Sequence, residues 1–146
     1  MISKNLFSIV CGMFVWILGV SFYLLSFYVP ILENPELQSN IVLALGIIPS
    51  ACLGTYLFYT KSFMRPSVLA LTFVVIATTL DALITVPAFV IPGGGSYSEF
   101  FADPMFYVII VEFYLIVLYF VINSFAVSSF MIVFLICTFN YQFYSF

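Results

Sequence analysis

An antiparallel bundle of four transmembrane helices is the fold this sequence predicts, forming one all-α integral membrane domain over residues 1–146, and three observations predict it. The chain is 65% hydrophobic and 6% charged, against roughly 45–50% and about 25% for soluble domains. Its apolar residues fall in long runs separated by Pro, Gly and charged residues. Its three basic and six acidic residues sort by position: Lys4, Lys61 and Arg65 lie at the amino terminus and in the second gap, whereas Glu33, Glu36, Glu99 and Asp103 lie in the first and third. So few charges do not cover a water-soluble body. Apolar runs of this length in lipid must be helical, because only a helix satisfies every backbone group within one segment.

The first span is expected over 6–32. Its run, Leu6 to Leu32, is far longer than a signal-peptide core of about 7–15 residues and lacks a small-residue cleavage site, so it reads as uncleaved. At about 1.5 Å per residue it also exceeds the ~30 Å hydrocarbon thickness, which implies tilt or projection. Trp16, near its middle, is expected to pack against a neighbouring helix.

The second span is expected over 36–60. Asn34-Pro35-Glu36 is a helix start: Asn caps, Pro suits the first helical position and Glu favours the positive end of the dipole. Lys61 to Arg65 then makes a short turn, and Pro66 restarts a helix over 67–91. Short connections make neighbours of spans two and three.

Pro92-Gly-Gly-Gly-Ser-Tyr-Ser is the longest flexible piece. No Gly-Lys-Ser/Thr follows it, so it is no phosphate loop. It reads as an external linker, with a re-entrant or lid segment carrying Tyr97, Phe100 and Phe101 as the alternative. Asp103-Pro104 begins the fourth span, expected over 105–122. Phe125 to Phe139 is apolar again after only Asn123-Ser124. One straight helix from Met105 to Phe139 would be about 52 Å long. The tail over 125–139 therefore reads as a broken or overlong fourth helix, as a fifth span, or as an ill-ordered end.

Orientation follows from the basic residues. Lys4, Lys61 and Arg65 agree on a cytoplasmic amino terminus, which places the chain as a multi-pass protein of an inner or plasma membrane. Aromatic residues at the expected span ends, such as Phe27 and Tyr28 or Phe106 and Tyr107, fit interface anchoring.

Several function classes are excluded by residue type. Three basic residues neutralise too few phosphates for nucleic-acid binding. Cys11, Cys52 and Cys137 form no CxxC pair, and histidine is absent, so neither a metal nor a redox centre is expected, and no cofactor. No motif identifies a family. An enzyme would need carboxylate chemistry on a lipid, which residue type merely permits, so no catalytic residue is assigned.

Two acids remain, inside the apolar runs. Asp81 lies near the centre of the third span, where insertion costs roughly 3 kcal/mol unless it is offset or the acid is protonated. Ala77, Thr78, Thr85 and Ala88 share its helix face as a small, weakly polar strip, and Pro87 is expected to free the carbonyl of Leu83. Glu112 lies ~10 Å inside the external end of the fourth span and Asp81 about 15 Å from the same end. Similar depths suggest a carboxyl pair without a basic partner, with Thr78, Thr85 and Tyr119 around it, that would handle protons or cations.

Gly46, Ser50 and Gly54 form a small-xxx-small ladder in the second span, and Ser8, Gly12 and Gly19 repeat small residues along the first. Such ladders favour close packing within the chain, with homodimerisation as the alternative. The first functional expectation is accordingly a non-enzymatic membrane protein that acts by helix packing, as a homo-oligomer or an accessory subunit. The second is a proton- or cation-coupled small carrier using Asp81 and Glu112.

Overall fold

The computed structural model describes the backbone of residues 3–144 and the side chains of residues 3–124. Its described residues are helical with no strands, and four helices are long and apolar enough to cross a membrane.

Helix α1 spans Lys4–Tyr28 and is capped by Ser3, whose Oγ accepts from the Leu6 N–H at 3.3 Å. It stops short of the expected Leu32. The residue before a proline is driven out of the helical region, and Val29, before Pro30, has φ −120° and ψ 70°. Helix α2, Pro35–Lys61, starts as expected: Asn34 Oδ1 accepts from the N–H groups of Glu36 and Leu37, both at 3.1 Å. Pro49 lies inside α2 without interrupting it.

The junction between α1 and α2 is held by Gln38, which is buried. Its Oε1 accepts from the backbone N–H of Ile31 at 2.7 Å and of Leu32 at 2.8 Å. Its Nε2 donates to the carbonyls of Ser26 and Val29 at 2.9 and 3.0 Å and to Ser26 Oγ at 3.0 Å. One amide thus replaces the partners that the end of α1 and the Pro30 turn would otherwise leave unpaired.

Helix α3 runs Pro66–Leu80 and continues, without leaving the helical axis region, as a π-helical segment over Asp81–Val90. Together they form the third long apolar element, Pro66–Val90. Gly94 reverses the chain at φ 90°, a conformation that favours glycine. The Gly94 and Gly95 N–H groups bond back to Ile91 and Val90. Residues 97–102 are not an extended linker: they form a short helix α4, Tyr97–Ala102, capped by Ser96 and packed on the π segment and on the next helix.

Helix α5 starts at Pro104, where Asp103 Oδ1 accepts from the Met105 N–H at 2.9 Å. It continues over Pro104–Tyr144 as one helix of 41 residues. Of the readings for the tail, the overlong fourth helix is the observed one. Among the described residues Asn123-Ser124 continues the helix and makes no turn into a separate fifth span.

Helix α1 packs on α2 and α3, and α5 closes the other side against the same two helices. The core between them contains Val15, Ala51, Phe58, Leu69, Phe73 and Val117, all fully buried. The small residues of both ladders, Ser8, Gly12, Gly19, Gly46, Ser50 and Gly54, are buried inside this one chain. The reason is steric. A Cβ on Gly46 would lie 2.7 Å from the Phe22 ring, and one on Gly54 would overlap Val15. Outward faces carry Leu45, Leu71, Leu83 and Leu115, all exposed, a surface compatible with a membrane protein.

Candidate functional site around Asp81

The π segment begins at Asp81, and three features of sequence converge there. A π register opens the helix by shifting hydrogen bonds from i→i−4 to i→i−5. The Ile91 N–H bonding to Val86 O at 2.9 Å shows that register. Pro87 has no N–H, and in the i→i−5 register the carbonyl it leaves without a donor is that of Ala82. The expected Leu83 is therefore corrected to Ala82 by the change of register. The Tyr97 hydroxyl of α4 donates to Ala82 O at 3.1 Å and supplies that missing partner.

Asp81 is half-buried and accepts two side-chain hydrogen bonds on one oxygen. Trp16 Nε1 of α1 donates to Oδ1 at 2.8 Å, and Thr85 Oγ1, one π turn along, donates to the same atom at 2.7 Å. Among the described residues nothing donates to Oδ2, and the one fully enclosed side-chain oxygen or nitrogen without a partner is Thr55 Oγ1. Oδ2 therefore has no donor and is not fully enclosed. Asp81 itself lines a partly open cavity of about 690 Å³ bounded by α1, α2, the α3–π element, α4 and α5.

The expected strip holds together: Ala77, Thr78, Thr85 and Ala88 all line the cavity beside Asp81. The cavity extends to Glu36 at the start of α2, Glu99 on α4 and Asp103 before α5, and no Lys or Arg lines it. Tyr23 and Asn40 add polar groups to a wall that is otherwise apolar and aromatic.

Glu112 and Tyr119 are not part of this site. Helix α5 lines the cavity with Phe106, Ile109, Ile110 and Phe113, which recur at the three-and-four spacing of one helix face. Glu112 falls off that stripe and makes no hydrogen bond to another described residue, while Tyr119 is 73% exposed. Similar depth does not put Glu112 on the cavity face, because helical phase decides which way each residue faces. Trp16 is the functional neighbour that sequence reasoning missed. The signal was available, since a deep indole N–H needs an acceptor, and Asp81 is the one acid near the centre of another span.

The four carboxylates are spread around the cavity. Among the described residues no three of His, Cys, Asp and Glu are grouped closely enough to hold a metal ion. The described residues define an all-helical protein with four helices of membrane-spanning length and an acid-lined, partly open cavity. No protein-family model, curated protein or solved structure matches the chain, so no activity is lent by a relative.

Proposed function

We propose that the chain is a multi-pass membrane protein working as a proton- or cation-coupled small carrier, with Asp81 as its titrating group. The observation that carries this reading is the asymmetry of that carboxylate: one oxygen is fixed by Trp16 and Thr85, the other has no donor among the described residues, and the residue lines a cavity with no basic residue. An acid retained only for packing has no need of an unfilled oxygen beside a cavity. Here a proton and a cation would compete for Oδ2 while Oδ1 holds the group in place.

Besides Asp81, the titratable groups that line the cavity are Tyr23 and Tyr28 on α1, Glu36 on α2, Glu99 on α4 and Asp103 before α5. All are neutral or negative, so the field at Asp81 draws cations inward. We place the four spans antiparallel, with the amino terminus cytoplasmic. Lys61 Nζ lies 6.0 Å from the Phe7 ring, which groups the basic end of α2 with the start of α1. The positive-inside rule then assigns that end to the cytoplasm.

The reading is tested in proteoliposomes loaded with a pH-sensitive dye and given an acid-inside gradient. External Na⁺, K⁺, choline and tetraethylammonium are added in turn. At least one of them should dissipate the gradient through the wild type, and Asp81→Asn should abolish that response while its melting temperature in detergent stays near wild type. No response to any of the four, an equal response from Asp81→Asn, or loss of Asp81→Asn from the membrane altogether would overturn the carrier reading in favour of packing.

A further inference from the structure

Resting on that reading, we propose that the cavity takes one hydrophobic organic cation, an amine or a quaternary onium ion, as its ligand. Size is the first argument. A volume of about 690 Å³ lies in the range of roughly 300–1,000 Å³ typical of small-molecule pockets, and it far exceeds what a proton or a bare inorganic ion fills. Chemistry is the second. Inorganic cations are held by several oxygens converging on one point, and among the described residues no three acid, His or Cys side chains are grouped in that way. The carboxylates are instead distributed, with Asp81 deep and Glu36, Glu99 and Asp103 where the connections meet the bundle.

Aromatic walls are the third argument. Trp16, Tyr23, Phe100 and Phe106 line the cavity from three elements, and ring faces attract onium groups most strongly where water is excluded. A ligand with an apolar body and one positive charge matches such walls together with the free Oδ2 of Asp81. An anion would meet four carboxylates and no base. A neutral hydrocarbon would offer nothing to Asp81 Oδ2, which has no donor among the described residues.

The chain contains one Trp, and that residue touches both Asp81 and the cavity, so its emission reports occupancy directly. Full-length protein in dodecyl maltoside is titrated with tetraphenylphosphonium, and separately with the anion tetraphenylborate, which has the same shape. Tetraphenylphosphonium should change Trp16 emission saturably. Asp81→Asn should weaken the midpoint at least tenfold, and Phe106→Ala, which keeps every charge, at least threefold. Tetraphenylborate should give no saturable change. No saturation by the phosphonium, equal binding of the borate, or midpoints unmoved in both variants would overturn the assignment.

A lipid headgroup is the other source of a quaternary ammonium. Short-chain phosphatidylcholine at matched concentration should leave the emission unchanged, and a saturable response that Asp81→Asn abolishes would overturn the free-cation assignment. The outcomes also separate the two proposals. Gradient dissipation by Na⁺ or K⁺ without phosphonium binding removes the ligand class alone, whereas phosphonium binding without any dissipation removes the carrier alone.

Discussion

Trp16 Nε1 reaches Asp81 Oδ1 at 2.8 Å across 65 positions of sequence, tying the middle of α1 to the first residue of the π segment. Both residues lie well inside long apolar elements, where a hydrogen bond is electrostatically stronger than in water. Trp16→Phe keeps the aromatic body and removes only the donor. We expect it to lower stability by about 1.5–3 kcal/mol, the usual range for a hydrogen bond to a charged group. A double-mutant cycle with Asp81→Asn, read as detergent melting temperatures, should show coupling of at least about 0.5 kcal/mol; additive effects would deny the bond.

Gln38 offers a second, independent test. Gln38→Leu retains volume but strands the N–H groups of Ile31 and Leu32 together with the Ser26 and Val29 carbonyls. The bonds to Ser26 are buried and those to Ile31, Leu32 and Val29 part-buried, and an enclosed group left without a partner costs about 1–3 kcal/mol. The expected result is a loss of at least about 2 kcal/mol, with the α1–α2 connection becoming the first site of limited proteolysis. A neutral outcome would mean that water replaces the amide.

Close packing at Gly54 makes a prediction with a built-in rescue. Gly54→Ala places a methyl group on Val15, and overpacking of this kind costs typically about 1–3 kcal/mol. Val15→Ala should recover most of that loss when the two changes are combined. A homodimer built on this ladder would instead lose its dimer in cross-linking while the monomer kept its melting temperature.

The bond from Tyr97 to Ala82 exists because Pro87 cannot donate. Tyr97→Phe should therefore cost about 0.5–1.5 kcal/mol in the wild-type background. It should cost less beside Pro87→Ala, which restores a backbone N–H at that position. Hydrogen exchange at residues 82–91 reads the same effect locally, with faster exchange expected in Tyr97→Phe alone.

These residues also show what could be read from the sequence. The starts of α2 and α5 and the limits of the third apolar element were legible because Asn34-Pro35, Pro66 and Asp103-Pro104 are local signals that require no knowledge of the neighbours. The Thr78, Asp81 and Thr85 strip was legible for a related reason, since helical spacing fixes which residues share a face. Three features were not. The π register depends on hydrogen bonds that composition does not encode, and Pro87 hinted only that some carbonyl would be free. Gln38 reads as an ordinary polar residue near a helix start until the chain end of α1 folds over it. Glu112 was placed by depth, and depth says nothing about rotation about the helix axis.

The most direct measurement of the central claim is Trp16 emission as a function of pH in purified protein. Protonation of Asp81 replaces a charged acceptor of the indole N–H by a neutral one, so the wild type should show a single sigmoidal change in emission. Glu112→Gln should leave that curve in place, and Asp81→Asn should flatten it. A curve that persists in Asp81→Asn, or one that disappears in Glu112→Gln, would contradict the account.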